Sequence, residues 1–212
     1  MNVLTVHDLY FHYRHSNPVF QGLSFELKDN ERVGLTGSNG SGKSTLFQIL
    51  MGFRKPDRGT INWYGSEITT ESMFAEVRRK VGLLFQQPDD QLFCATVGDE
   101  VAFGPFNLGL SRSEVLHIVE ETLASLNLQG YADRITYHLS EGEKRLVSLA
   151  AVLAMKPDVL LLDEPTNGLD ERSKELITQH LAQLPQMMLI ASHDQSFLEK
   201  LTNRRIDLNH RT

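Results

Sequence analysis

Residues 37–45 read Gly37-Ser38-Asn39-Gly40-Ser41-Gly42-Lys43-Ser44-Thr45. The spacing G-x-x-x-x-G-K-[ST] is that of a loop that cradles phosphates. Its glycines and asparagine let the backbone curl, so that successive N–H groups point at one oxyanion. Lys43 brings a point charge suited to β- and γ-phosphates, and Ser44 a hydroxyl suited to Mg²⁺. Much later, Val159-Leu160-Leu161-Leu162-Asp163 is four apolar residues closed by an acid, with Glu164 next. A carboxylate at a strand end can reach a cation directly or through water. A second one beside the γ-phosphate can take a proton from an attacking water. Without the upstream loop this would read as a surface acid pair after a core strand; with it, the functional reading is favoured.

Three further positions carry open alternatives. His193 follows the apolar run 187–192, where an imidazole can bond a γ-phosphate or simply be a polar loop residue. Ser140 and Glu143 fit a capping box at a helix start, yet a helix N-terminus also suits a bound anion. Tyr13, in the cluster Tyr10-Phe11-His12-Tyr13, can stack on a purine or pack on a strand core.

The elements that must hold these groups are legible in outline. Arg32 to Thr36 reads as a buried strand entering the phosphate loop, and Thr45 to Met51 as the helix leaving it. Leu23 to Lys28 alternates apolar and polar, as a half-buried strand does, with Val3 to Leu9 and Gly59 to Trp63 similar. Val81 to Phe85 is a compact apolar strand ending at Gln86. Ser111 with Glu114 forms a second capping box, and Val115, Ile118, Val119, Thr122, Leu123 and Leu126 fall on one helical face. The β texture returns at Val159, followed by a helix from Glu171 to Leu184 and strands Met187 to Ser192 and Arg205 to Leu208. The first third is expected to be β-rich. Alternating strands and helices predict an α/β fold with a mainly parallel core sheet and ligand loops at the strands' carboxyl ends.

The chain has 212 residues and is 41% hydrophobic, enough for one large domain. The expected division is a core from residues 1–87 and 156–212, interrupted by a mainly helical part over 88–155. A net charge of -6 argues against nucleic-acid binding. The single cysteine, Cys94, allows no disulfide within the chain and suits a reducing compartment. The stretch from Met1 to Asp8 does not resemble a signal peptide. No run approaches the ~20 apolar residues that span a bilayer, so no direct membrane insertion is expected.

In order, the phosphate loop, Gln86, Leu139-Ser140-Glu141-Gly142-Glu143, Asp163-Glu164, Gly168-Leu169-Asp170 and Ser192-His193-Asp194 resemble the motif set of an ABC-type ATPase over essentially the whole chain. The resemblance implies a P-loop NTPase fold with an N-terminal antiparallel β region and an inserted helical subdomain. It implies ATP and Mg²⁺ as ligands. Tyr13 then matches the adenine-stacking aromatic, and Ser38, Asn39, Gly40, Ser41, Gly42, Lys43, Ser44 and Thr45 the phosphate loop. Ser44, Gln86 and Asp163 match the Mg²⁺ contacts, Glu164 the catalytic base and His193 the switch histidine. Asp170 matches the aspartate that bridges two subunits. Ser140 and Gly142 match the residues that reach ATP on a second subunit.

Gln86-Gln87-Pro88-Asp89-Asp90-Gln91-Leu92-Phe93 and Val101-Ala102-Phe103-Gly104-Pro105 further resemble the ATPase subunits of energy-coupling-factor importers of vitamins and transition metals. The run Glu143 to Ala150, with the stop at Thr212, is most like the cobalt/nickel branch. The implied partners are a second ATPase subunit, identical or not, a transmembrane coupling subunit and a substrate-binding membrane subunit. The expected location is peripheral, on the cytoplasmic face of the membrane. Leu92, Phe93, Val97 and Phe103 belong either to the membrane-partner surface or to the local core.

One departure matters. Glu141 and Glu143 stand where the family has a glycine and a glutamine. A like charge ~4 Å from a γ-phosphate costs about 4 kcal/mol at an effective dielectric near 20, unless Glu141 faces solvent or is paired. Glu141 motivates one rival, a nucleotide-binding regulatory module without turnover; the other rival is a soluble ABC ATPase acting on nucleic acid or ribosomes.

Overall fold

The computed structural model describes residues 2–14 and 17–209; Met1 and Thr212, named above, lie outside them. In chain order the strands are β1 (Asn2–His12), β2 (Pro18–Lys28), β3 (Arg32–Thr36), β4 (Arg58–Trp63), β5 (Ser66–Glu67), β6 (Val81–Leu84), β7 (Val159–Asp163), β8 (Met187–Ala191) and β9 (Arg204–Asp207). The helices are α1 (Lys43–Leu50), α2 (Glu71–Lys80), α3 (Val97–Asn107), α4 (Arg112–Ser125), α5 (Glu141–Leu153), α6 (Glu171–Gln183) and α7 (Gln195–Leu201).

Two sheets result. One is antiparallel, in the order β2-β1-β4-β5; the other, β6-β7-β8-β3-β9, is parallel at every pairing. A parallel strand covered on both faces reads as an unbroken apolar run, and Val159 to Asp163 is buried at every residue. Its side chains alternate between two cores. Val159 and Leu161 face the antiparallel sheet and α1, while Leu160 and Leu162 face the helices. Trp63 ties the antiparallel sheet to the end of α1, donating its indole N–H to the Leu50 carbonyl at 3.1 Å.

Between β6 and β7 the chain builds a helical layer. The Ser111–Glu114 box starts α4, with both reciprocal bonds formed. Val115, Ile118, Val119 and Leu123 of α4 then pack with Val101 of α3 and Val147 and Leu149 of α5. Thr122 is only half-buried.

Two helices depart from the sequence reading. α2 lies in the stretch expected to be β-rich; its apolar face is one turn long, with Val77 buried and Met73 and Phe74 half-buried on an otherwise polar helix. α7 is seven residues long, and its start, capped by Asp194, falls inside a motif read for chemistry. Among the described residues no helix is long and apolar enough to cross a membrane.

Candidate functional site

Four strands of the parallel sheet end at one edge, and each delivers part of the site. β3 runs into the phosphate loop, β6 into Gln86, β7 into Asp163 and Glu164, and β8 into His193. The loop closes on Gly42, the N-cap of α1, at φ 99°. A Cβ there would lie 2.5 Å from Val19 and 2.8 Å from Phe20, so conformation and space both require glycine. A cleft of about 510 Å³ opens here, lined by Tyr13, Asn17, Val19, residues 39–45, Gln86, Asp163 and Glu164.

Lys43, Glu164 and His193 form a connected chain of side chains at the cleft. Lys43 donates to the Gly37 carbonyl at 2.9 Å and lies 3.6 Å from Glu164 Oε1, both side chains being buried. The other oxygen, Glu164 Oε2, meets His193 Nδ1 at 2.9 Å and accepts the His193 backbone N–H at 3.2 Å. Glu164 adopts φ 45°, a left-handed conformation uncommon for a side chain of this kind. Its N–H donates to the Ala191 carbonyl at 2.8 Å, which fixes it at the seam of β7 and β8. Strain of this kind is kept where the surroundings over-determine it.

Asp163 is buried, and its Oδ1 has no hydrogen-bond partner. Burial pushes its carboxyl above the usual range; the Ser44 hydroxyl pulls it down, Glu164 pushes it up, and Lys43 and Arg145 pull it down. An unpartnered buried carboxylate oxygen beside a hydroxyl is the donor set a small hard cation takes. Ser41 Oγ is likewise buried without a partner.

Tyr13 packs on the edge of the core, one of the two readings left open for it, and also borders the cleft. Its hydroxyl bonds Thr45 Oγ1 at 2.8 Å and its ring meets Phe11 edge-on at 5.0 Å, yet it lines the cleft. Ser38 does not line this cleft. Its N–H and hydroxyl both donate to Asn209 Oδ1, at 3.0 and 2.9 Å, in the adjoining hollow.

Ser140, Gly142 and Asp170 lie apart from the cleft. Ser140 is exposed and caps α5 in a full capping box with Glu143. Asp170 caps α6 by accepting the Ser173 N–H at 2.7 Å. The two helix starts are neighbours, since a Cβ on Gly142 would stand 2.8 Å from Ser173 Oγ. Glu141 leaves 62% of its side chain in solvent and lies 3.7 Å from Lys144. Glu143 accepts from Tyr131 at 2.8 Å and pairs with Arg134 at 3.1 Å. These bonds, the Ser140 N–H first, hold its carboxyl below the usual range.

Sequence reasoning missed Asn17, Val19, Arg54 and Asn209. Arg54 sets its guanidinium 4.8 Å from the Tyr13 ring centre. No motif marks any of the four.

A phosphate loop between a parallel strand and a helix, with two buried carboxylates at the next strand ends, defines a P-loop nucleoside triphosphatase. The ABC transporter family model matches residues 20–167; the chain belongs to this family and is an ATP-binding ATPase. It is 40% identical over 98% of its length to the energy-coupling factor transporter ATP-binding protein EcfA of Methanothermobacter thermautotrophicus, spanning 68% of that protein. It is 42% identical over 92% of its length to EcfA of Methanocaldococcus jannaschii, spanning 71% of it. Among solved structures, it is similar to CbiO1 of Clostridium perfringens, described as part of the ABC transporter complex CbiONQ, with a TM-score of 0.87 and 34% identity. That match covers 97% of this chain and 84% of CbiO1. It also matches the cassette MJ0796, solved as a dimer in a post-hydrolysis state with ADP and Pi, at TM-score 0.86 and 25% identity. That match covers 96% and 93% of the two chains. The α/β fold with one antiparallel and one parallel sheet is that of an ABC ATPase cassette.

Proposed function

We propose that the chain is the ATP-binding subunit of an energy-coupling-factor-type importer. Two such subunits, identical or closely related, hydrolyse ATP between them, head to tail, and drive uptake of a transition metal ion (cobalt or nickel) or a vitamin. The observation that carries this reading is Glu164, a buried carboxylate at a strand end, held between Lys43 and His193. With ATP in the cleft, Lys43 exchanges the Gly37 carbonyl for the β- and γ-phosphates. Tyr13 stacks on the adenine, and the backbone of residues 38–45 cradles the phosphates. Glu164 accepts the proton of the attacking water, and His193, already bonded to it, addresses the γ-phosphate. Ser44, Gln86 and Asp163 would hold Mg²⁺, which when bound neutralises charge on the β- and γ-phosphate oxygens. Ser140 and Gly142 act on the ATP of the other subunit, and Asp170 bridges the pair.

The relatives named EcfA and the likeness to CbiO1 support the importer class. The partners are a transmembrane coupling subunit and a substrate-binding membrane subunit, with this chain peripheral on the cytoplasmic face. The surface near α3 suits that role. Phe93 and Phe103 are 66% and 48% exposed and meet edge-to-face at 4.7 Å. Val97, by contrast, is fully buried, and Leu92 packs on the core. Glu141 is turned to solvent 3.7 Å from Lys144, which supports the importer reading over a non-hydrolysing regulatory module.

The test is purification from detergent-solubilised membranes after co-expression with the membrane proteins of neighbouring genes. Wild type should retain them, and the double substitution Phe93→Ser, Phe103→Ser should lose them. Retention of ribosomes or nucleic acid in their place refutes the importer reading.

A further inference from the structure

Gln86 stands in an exposed turn after β6, and such a turn does not by itself aim a side chain into a cleft. Three residues bind this turn to α5. Arg145, 2% exposed, donates Nη1 to the Phe85 carbonyl and Nη2 to the Gln86 carbonyl, both at 2.6 Å. Gln91 grips the same residue from its other side. Its Oε1 accepts the Phe85 N–H at 3.1 Å, and its Nε2 donates to the Ser148 carbonyl of α5 at 3.0 Å. Lys144, beside Arg145 on α5, pairs with Asp89 at 2.7 Å.

A buried guanidinium is a costly way to fill space. Here Nε has no partner at all, so packing alone does not account for an arginine. What the fork achieves is geometric. It holds two successive carbonyls in one plane, as a planar guanidinium does and an ammonium does not. The Gln86 peptide is thereby fixed to the helix that Ser140 begins.

We propose that Arg145 and Gln91 are positioning residues that make Gln86 move with α5, so that engagement of Ser140 at one surface is felt at Gln86 in the cleft of the same chain. This rests on the proposed role of Gln86 in that cleft. Neither Arg145 nor Gln91 lines the cleft; the charge of Arg145 also reaches Asp163, and Arg145→Lys keeps that charge while removing the fork. A shift of α5 alters the position of Gln86 without altering the phosphate loop, which hangs from β3 and α1.

The experiment is a double-mutant cycle on the full chain, with Arg145→Lys, Gln86→Ala and the pair, measuring kcat and KM for ATP. Losing the fork should lower kcat roughly tenfold, the worth of about one charge-assisted hydrogen bond, and leave KM nearly unchanged. The double variant should be no slower than the slower single variant. Gln91→Leu should reproduce the pattern, and it carries the cycle if Arg145→Lys does not fold. Additive losses would overturn the proposal, because they mean Arg145 acts independently of Gln86. Unchanged kcat in both Arg145→Lys and Gln91→Leu would overturn it too. If Gln86→Ala alone turns over like wild type, the role of Gln86 fails first, and that single variant separates the two failures.

Discussion

Replacing Glu164 by glutamine keeps the shape of the side chain and removes its charge. Glu164 lies 3.6 Å from Lys43 and both are buried. At that distance and an effective dielectric near 20, the attraction is about 4.6 kcal/mol, and breaking a buried pair by removing one partner costs about 3–5 kcal/mol. Lys43 keeps its bond to the Gly37 carbonyl, and the amide oxygen still accepts, so roughly 2–3 kcal/mol should be realised. For a chain of this size that lowers the ATP-free Tm by about 4–10 °C. Bound phosphates then supply the negative charge that Lys43 has lost, so ATP should raise the Tm of Glu164→Gln more than that of wild type. Turnover should fall about 10²- to 10⁴-fold, the worth of a positioned general base. Thermal unfolding with and without Mg-ATP, beside phosphate release, reads both effects. Turnover like wild type removes Glu164 as the base. Equal ATP-induced Tm shifts in the two proteins refute the charge argument.

Glu141→Gly should leave ATP turnover unchanged or raise it, since Glu141 lies in solvent beside Lys144; a large loss in steady-state phosphate release would show that its carboxylate is needed. Gly42→Ala should destabilise the fold and abolish ATP binding, because the new Cβ meets Val19 and Phe20; nucleotide titration and Tm check it. Glu143 is held below its ordinary value of 4.5. Its contribution is therefore present above about pH 4.5 and fades as pH falls through the lower folded value. The Tm deficit of Glu143→Gln should be present at pH 7 and vanish in strong acid; a deficit independent of pH refutes the assignment. Burial first, then Glu100, pushes the Cys94 thiol up to about 11. Alkylation of Cys94 should accordingly still accelerate between pH 9 and 10, and a rate already level below pH 9 contradicts this.

What the sequence discloses follows from what each element must do alone. β7 must be apolar on both faces and end in an acid, so its bounds are readable from five residues. The capping boxes at Ser111 and Ser140 are local, three residues wide, and both form as expected. α2 hides because its apolar stripe, Met73, Phe74 and Val77, spans a single turn of an otherwise polar helix. Asn209 and Arg54 hide because their roles depend on partners 171 and 41 residues away, and nothing near either residue signals the pairing. The split among Leu92, Phe93, Val97 and Phe103 was likewise beyond reading. The same apolar types serve core and surface there, and the paths of α3 and of the segment leading into it decide which face each takes.

The placement of these groups bears on why the proposed reaction would take two chains. The cleft holds the phosphate loop and Glu164, the proposed base, to which His193 is bonded from the end of β8; the loop, Gln86 and the two carboxylates come from the ends of β3, β6 and β7 and the start of α1. Ser140 is exposed on another surface with its hydroxyl engaged by Glu143, from Ser140 Oγ to Glu143 Oε2 at 2.8 Å. A phosphate arriving there from a second subunit would compete with that bond; Glu143 Oε2 would keep the Ser140 N–H, and Tyr131 and Arg134 would go on holding Oε1 and so the carboxylate in place. Closure as proposed would therefore exchange one hydrogen bond for another at the start of α5, at little cost. Breaking those two supports, with Tyr131→Phe and Arg134→Gln together, should raise the ATP concentration needed for a Glu164→Gln protein to pair, as read by light scattering. Pairing at unchanged ATP concentration would refute the exchange and leave Glu143 as a cap alone.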